Sequence, residues 1–114
     1  MKKSIVIPAF NEEKGIAEVV ERCKKVCSAG DEVIVVDDGS KDRTAEIAGK
    51  AGAKVIRLAS NKGKVGALRA GFEAAQNEVL VTIDADCTYP PEAIPEMLAR
   101  FEHADLVVGT RFRK

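Results

Sequence analysis

The stretch VIVVDDGS at residues 33–40 decides the fold of this 114-residue chain. Its first four residues are apolar and mostly β-branched, so a strand built from them is apolar on both faces. Such strands belong in a parallel sheet that helices cover on each side. The polar residues that follow, from Asp37 to Ser40, then lie at the carboxyl end of the strand. We therefore expect an α/β domain with three layers, α/β/α, around a mostly parallel sheet.

The same pattern recurs along the whole chain. Segments with helical spacing of apolar residues alternate with short apolar runs, which predict strands at residues 4–7, 33–36, 55–58, 79–83 and 105–109. Right-handed crossovers bring the carboxyl ends of parallel strands to one edge of the sheet, where ligands bind in such folds. Polar residues follow every predicted strand at that edge: Asn11 and Glu12, Asp37 and Asp38, Asn61 and Lys62, Asp84 and Asp86, and Arg111.

Composition excludes several classes of protein. Hydrophobic residues make up 46% of the chain and charged residues 32%, with a net charge of +0, which excludes intrinsic disorder and gives no reason to expect a nucleic-acid partner. No apolar run approaches the roughly 18 residues of a membrane-spanning helix. The amino-terminal apolar run is cut short at Pro8, unlike that of a signal peptide. We expect one domain over residues 1–114, located in the cytoplasm.

The three cysteines indicate a reducing compartment, because an odd number cannot pair within the chain. Cys23 and Cys27 lie four residues apart, on one face of a predicted helix. Zinc binding is the alternative, but the only histidine, His103, is distant in sequence and no set of four ligands is visible. We interpret the cysteines as small apolar residues of the core.

Asp84-Ala85-Asp86 follows the fourth predicted strand. Period-two geometry points the two carboxylates to the same side, where they repel each other unless a cation lies between them. Oxygen ligands of this kind select Mg²⁺ or Mn²⁺, whose remaining ligands are commonly substrate phosphates. Taken alone, the triplet equally fits an acidic strand end at the surface. With Cys87 and Thr88 it also matches the DxDxT nucleophile motif of haloacid-dehalogenase phosphatases, but few residues remain for that family's later motifs.

Other polar residues also have alternative interpretations. Asp38 is placed to accept hydrogen bonds from a ribose hydroxyl or a base N–H, whereas Ser40 is better interpreted as a helix N-cap, with Asp42 as the other candidate. Glu12 fits either a ligand or a carboxylate that favours a helix amino terminus. The segment 61–66, NKGKVG, is not a Walker phosphate loop, and no GxGxxG fingerprint follows any strand.

Taken together, five ordered motifs resemble those of family 2 glycosyltransferases, and most closely the dolichyl-phosphate mannose or glucose synthase group. They are VIPAFNE at 6–12, VVDDGS at 35–40, NKGK at 61–64, DAD at 84–86 and VGTR at 108–111. The resemblance implies the Rossmann-like, amino-terminal half of a GT-A fold. It further implies an enzyme that binds a GDP- or UDP-sugar with Mg²⁺ or Mn²⁺ and transfers the sugar, with inversion, to a polyprenyl or dolichyl phosphate at a membrane surface.

The resemblance also assigns roles to individual residues. Asp84, Asp86 and Arg111 would be the catalytic residues, and the two aspartates would hold the metal ion. Thr88 stands where some members of the group have a glutamine ligand. The residues implied to bind the nucleotide sugar are Pro8, Phe10, Glu12, Val36, Asp38, Asp84, Ala85, Asp86 and Arg111.

The chain departs from the family in length, because family catalytic domains are about twice as long. A shortened catalytic domain, a short paralogue and a reconstructed half-domain all fit this length. The alternative function is a non-catalytic nucleotide-sugar-binding or assembly module. In the complete GT-A fold a later strand lies between the fourth and fifth strands predicted here. Without it, either residues 105–109 pair with the fourth strand or an apolar edge remains, and such an edge recruits other chains. We expect a homo-oligomer that associates through this edge, peripheral to a membrane.

Overall fold

A computed structural model describes residues 2–86, 90–100 and 106–108 of the chain. Strands and helices alternate, and a 3-10 turn at Pro91–Ala93 leads into the last helix. The strands are β1 Lys3–Ala9, β2 Glu32–Asp37, β3 Lys54–Arg57, β4 Val79–Thr82 and β5 Leu106–Val108. The helices are α1 Ile16–Lys25, α2 Thr44–Lys50, α3 Gly63–Ala74 and α4 Ile94–Arg100.

The five strands form one parallel sheet in the order β3-β2-β1-β4-β5. From β1, the chain adds β2 and β3 on one side of the sheet and then β4 and β5 on the other. The strand order therefore reverses between β1 and β4, and open α/β sheets bind their ligands at such a switch point. The predicted three-layer fold with a parallel sheet is confirmed.

The core lies on both faces of this sheet because successive strand residues point to opposite sides. On one face, residues such as Ile5 and Ile7 pack beneath α1 and α2, and Leu98 of α4 packs against the same cluster as predicted. On the other face, Val6, Ile34 and Val36 pack beneath α3. The β-branched run of β2 therefore supplies both clusters, as expected for a strand that is buried on each side.

Gly71 allows α3 to lie close to the sheet. A Cβ atom at this position would lie 2.3 Å from Cγ1 of Val6 and 3.1 Å from Cγ2 of Val36, and both valines are fully buried.

The first helix is shorter than predicted. It ends at Lys25, with Val26 as its C-cap, so Cys27 lies beyond it and the prediction that Cys23 and Cys27 share a helix face is wrong. Cys23 and Cys27 both remain thiols outside any disulfide, and burial raises the pKa of the Cys27 thiol. The remaining zinc-ligand candidate, His103, lies outside the described residues.

A buried ion pair holds the turn after α1 against the start of β1. Lys3 Nζ lies 2.6 Å from Asp31 Oδ2, and both side chains are almost completely buried. The same carboxylate accepts hydrogen bonds from the backbone N–H groups of Lys3 and Ser28. Burial alone would raise the pKa of Asp31, but these hydrogen bonds lower it below its ordinary value overall.

Of the two alternatives for the fifth strand, the structure has the first. β5 pairs in parallel with β4, with Leu80 opposite Leu106 and Thr82 opposite Val108, so no gap separates these strands. Phe101, predicted to point inward from the fourth helix, lies outside the described residues. Within the described part of the chain, the helices are too short or too polar to cross a bilayer.

Candidate functional site

A cleft of about 320 Å³ opens at the carboxyl ends of β1, β2 and β4, next to the switch point. Seven of the predicted site residues line it: Pro8, Phe10, Glu12, Asp38, Asp84, Ala85 and Asp86. The remaining lining residues are Ala9, Asn61, Gly63, Lys64 and Ala67. The edge that the sequence predicted for ligand binding therefore carries a real depression.

One predicted site residue that the structure describes, Val36, does not line this cleft. Val36 lies two residues before Asp38, which lines the cleft, but the Val36 side chain is fully buried beneath α3 and is not among the lining residues. The pleat explains this placement, because Val36 shares a face with Ile34, which packs in the same cluster. Arg111 and Thr88 lie outside the described residues.

Asp38 is tied to the backbone at the start of α3. Its Oδ1 accepts a hydrogen bond of 2.7 Å from the N–H of Lys62, and its Oδ2 accepts one of 2.9 Å from the N–H of Gly63. The residue is only 4% exposed. Asp38 therefore positions the loop before α3, a role that the sequence did not reveal, and its remaining lone pairs are available for a ligand.

Gly39 makes this arrangement possible. Its φ of +79° lies in the left-handed region, and a Cβ there would lie 3.0 Å from the backbone of both Ser60 and Asn61. A side chain would push the loop before α3 away from Asp38. Next to it, Asp37 is almost completely buried and accepts a hydrogen bond of 2.9 Å from the N–H of Ser40.

The loops after β1 and β2 are joined by hydrogen bonds. The N–H of Asn11 donates to Ser40 Oγ at 2.7 Å, and the N–H of Glu12 donates to Thr44 Oγ1 at 2.9 Å. In return, Asn11 Oδ1 accepts a bond from the N–H of Lys41 at 3.0 Å. The interpretation of Ser40 as a helix N-cap is wrong, because α2 begins only at Thr44 and the hydroxyl of Ser40 serves the other loop.

Asp42 comes closer to a capping role than Ser40 does. Its Oδ1 accepts hydrogen bonds from both the N–H and the hydroxyl of Thr44, the first residue of α2, and its Oδ2 accepts one from the N–H of Glu13. The pKa of Asp42 is lowered from its ordinary value, because these hydrogen bonds outweigh desolvation.

Glu12 lies on the acidic side of the cleft. Burial raises its pKa above the ordinary value, and the neighbouring carboxylates of Asp86 and Asp42 raise it further. Its backbone N–H is used by Thr44, while its side chain lines the cleft. The carboxylates of Asp86 and Asp42 place negative charge next to Glu12, the condition under which a cation is attracted.

Lys64 supplies positive charge to the cleft. Its Nζ lies 2.9 Å from Oδ1 of Asp84, and the Lys64 side chain is 50% exposed while that of Asp84 is 18% exposed. The sequence placed the NKGK segment at the correct edge without giving Lys64 a role. The signal was present, since a lysine that follows β3 and an aspartate that follows β4 end at the same edge of a parallel sheet.

The carboxylates of Asp84 and Asp86 fit a hard divalent cation by their chemistry. Both line the cleft, and the ammonium of Lys64 already occupies a cation position next to Asp84. Across the ranges that the structure describes, no group of three or more His, Cys, Asp or Glu side chains is arranged to hold a metal ion. Two protein carboxylates therefore form the donor set that the described residues offer.

Comparison with known sequences identifies the family. The model of glycosyl transferase family 2 matches residues 4–114. An undecaprenyl-phosphate 4-deoxy-4-formamido-L-arabinose transferase of Proteus mirabilis is 40% identical over 121 residues, which cover 98% of this chain and 37% of that protein. A dolichol-phosphate mannosyltransferase of Pyrococcus furiosus is 37% identical over 120 residues, covering 100% of this chain and 34% of the relative. The chain thus spans little more than a third of the length of these relatives.

Solved structures show the same fold. The glucosyl-3-phosphoglycerate synthase of Mycobacterium tuberculosis, crystallised with Mn²⁺, uridine diphosphate and glucosyl-3-phosphoglycerate, superimposes with a TM-score of 0.78 at 30% identity. The match covers 90% of this chain and 40% of that protein. The family match takes in the DADCT segment as well, which leaves the phosphatase alternative without support. By its motifs, its sheet and these matches, this chain belongs to glycosyl transferase family 2.

Proposed function

We propose that this chain binds a nucleoside diphosphate sugar with Mg²⁺ or Mn²⁺ and serves the transfer of the sugar, with inversion, to a polyprenyl phosphate. The observation that supports it is one cleft that combines an exposed aromatic ring, a buried hydrogen-bond acceptor and a strand-end carboxylate pair. The names of the relatives, which act on undecaprenyl or dolichol phosphate, support the choice of acceptor.

The nucleoside would lie on the side of the cleft formed by β1 and β2. Phe10 is 44% exposed, an unusual position for a large apolar side chain, and it offers a ring face on which a base can stack. Asp38 offers its remaining lone pairs to a ribose hydroxyl or a base N–H. Pro8 and Glu12 complete this side of the cleft.

The diphosphate would lie on the other side, between β4 and the start of α3. Asp84 and Asp86 would hold the metal ion, which when bound neutralises the charge that develops on the leaving diphosphate. Because the protein offers two carboxylates, phosphate oxygens and water would complete the coordination. Lys64 lies on the same wall and adds a second positive charge for the phosphates.

In the proposed reaction, an acceptor phosphate oxygen attacks the anomeric carbon. The bond from that carbon to the nucleoside diphosphate breaks, so direct displacement inverts the anomeric centre. The acceptor oxygen is already anionic, and no strong general base is required of this chain. Arg111 is proposed to face the sugar or the phosphates, as the family resemblance implies.

Titration calorimetry with UDP, GDP and their sugar conjugates, with and without Mn²⁺, tests the proposal. We expect metal-dependent binding that Asp86→Ala abolishes, because one of the two protein ligands is lost. Glu78→Ala is the matched control, since this exposed carboxylate lies at the opposite end of β4 and should leave binding unchanged. Unchanged Mn²⁺ dependence in Asp86→Ala would contradict the metal assignment.

A second measurement separates the enzyme from the non-catalytic alternative. Release of UDP or GDP from the sugar nucleotide is followed after addition of a polyprenyl phosphate in vesicles. Release that requires the acceptor supports transfer, whereas tight binding without release supports a binding module. Co-sedimentation with the same vesicles tests the proposed peripheral association with a membrane.

A further inference from the structure

We propose that Lys64 and the divalent ion are alternative partners of Asp84. In this interpretation Lys64 neutralises Asp84 in the empty cleft and moves to the diphosphate when a nucleotide binds, which opens Asp84 to the ion. Nucleotide and metal would then bind cooperatively. The inference rests on the proposed function, because it requires a ligand that carries a diphosphate.

The contact between Lys64 and Asp84 has the features of a replaceable ion pair. The atoms lie 2.9 Å apart, but half of the Lys64 side chain is exposed to solvent. Exposed pairs of this kind contribute little to stability, so the pair can be broken at low cost. The buried pair between Lys3 and Asp31 differs, because both of its side chains are almost completely removed from water.

The surroundings explain why Lys64 contacts a carboxylate in the first place. Among the described residues that line the cleft, Lys64 alone carries a positive charge, whereas Glu12, Asp38, Asp84 and Asp86 are acidic. Removing Lys64 from Asp84 without providing another cation would therefore concentrate negative charge still further. The lysine acts as a counterion until a better cation arrives.

The backbone of Lys64 is held while its side chain can move. Asp38 binds the N–H groups of Lys62 and Gly63, which anchors the first turn of α3. From that anchor, a four-carbon side chain with rotatable bonds carries the ammonium group to its partner. A diphosphate in the cleft would offer this ammonium more negative charge than one carboxylate does, so an exchange of partners requires no change of fold.

The exchange predicts thermodynamic coupling between the two ligands. An ion that approaches Asp84 in the absence of nucleotide meets an ammonium group already bound there and is repelled by it. A nucleotide that draws Lys64 away removes this repulsion, so the ion binds more tightly. By linkage the ion must increase the affinity for nucleotide by the same factor.

The test measures each ligand alone in the 114-residue chain. Mn²⁺ binding without nucleotide is followed by electron paramagnetic resonance, and binding of UDP and of GDP is followed in metal-free buffer. In Lys64→Met we expect Mn²⁺ alone to bind about two- to fivefold more tightly, the range set by a weak competing ion pair. The affinity for UDP or GDP alone should fall by about fivefold or more, since a charged contact to phosphate is lost.

Two variants control the test. Lys62→Met removes a neighbouring positive charge that does not line the cleft, so both affinities should stay near those of the unmodified chain. Lys64→Arg keeps the charge and should not tighten binding of Mn²⁺ alone. Thermal unfolding confirms that each variant is folded, as expected for substitutions at exposed side chains.

The outcomes separate this inference from the proposed function. If the unmodified chain binds nucleotide with Mn²⁺ but Lys64→Met leaves the affinity for Mn²⁺ alone unchanged or weaker, the partner exchange is refuted and the proposed function stands. If neither UDP nor GDP binds the unmodified chain even with Mn²⁺, the proposed function fails and the exchange fails with it. Opposite changes in the two affinities, specific to Lys64→Met, support the exchange.

Discussion

Replacing Asp38 by alanine removes the two hydrogen bonds that anchor the start of α3. The carboxylate is 4% exposed, and its two oxygens accept bonds of 2.7 and 2.9 Å from the N–H groups of Lys62 and Gly63. The alanine side chain has no acceptor to replace either oxygen. We therefore expect the loop before α3 to loosen and the chain to lose stability.

The magnitude follows from the kind of hydrogen bond that is lost. A bond to a charged group contributes about 1.5–3 kcal/mol, but Lys62 is exposed and Gly63 is half-buried, so water can bind both donors after the substitution. We expect Asp38→Ala to lower the free energy of unfolding by about 2–3 kcal/mol, which is less than two such bonds contribute together because water replaces part of each. Asp38→Asn keeps one acceptor and should lose about half as much.

Urea unfolding measures the free energy, and amide hydrogen exchange measures the protection of Lys62 and Gly63. Asn61→Ala is the matched control, because Asn61 Oδ1 contacts the N–H of Gly63 only at 3.2 Å and from an exposed position. That control should change the free energy of unfolding by less than about 0.5 kcal/mol. If Asp38→Ala also stays within this range and keeps its amide protection, Asp38 does not anchor α3.

Three further predictions concern packing, pH and assembly. Gly71→Ala should destabilise the fold by about 1–3 kcal/mol through overpacking. Gly49→Ala in α2, where a Cβ meets only ordinary contacts, should stabilise the fold by up to about 1 kcal/mol. Urea unfolding of both variants shows whether the free energy of unfolding falls in the first and rises in the second. Asp31→Asn should lower the free energy of unfolding by about 2 kcal/mol at pH 7, because the buried Lys3 ammonium loses its carboxylate; the loss is smaller than the roughly 3–5 kcal/mol for a buried charge without any partner, since Lys3 keeps its hydrogen bond to the carbonyl of Val26. Since the pKa of Asp31 is lowered on folding, this difference should be full above about pH 4 and shrink as the pH falls further; a constant difference down to pH 2 would contradict it. Because β5 is the last strand of the sheet, its outer side can still pair with a strand of another chain. Light scattering across a dilution series should therefore detect a homo-oligomer, and a strictly monomeric species at high concentration would refute that expectation.

Local patterns were sufficient to predict the fold. A strand that is buried on both faces is mostly apolar along its length, so the runs in β1, β2 and β4 could be identified without any knowledge of their neighbours. The end of α1 could not be predicted in this way, because the apolar spacing continues to Cys27. The helix ends at Lys25, before a turn whose Asp31 carboxylate contacts Lys3, which is distant in sequence.

The position of the candidate site was also predictable, but its internal contacts were not. Strand topology brings the polar ends of β1, β2 and β4 together whatever their side chains do. The partners of Asp38 and Lys64 depend on how closely the loop before α3 approaches the end of β2. That distance is set by Gly39, which faces the backbone of this loop, and by the packing of Gly71 against the sheet. Ser40 was misinterpreted for the same reason, since its partner lies in a loop 29 residues away.

The hydrogen bonds between the loops after β1 and β2 have a consequence for protein engineering. Asn11 is hydrogen-bonded to Ser40 and Lys41, and Glu12 is hydrogen-bonded to Thr44. Residues 10–13 and 40–44 therefore form one structural unit, in which each segment depends on the other. A graft that brings the base preference of a relative into this scaffold would have to carry both segments at once. Exchanging either one alone would leave donors in one loop facing acceptors that the other no longer presents.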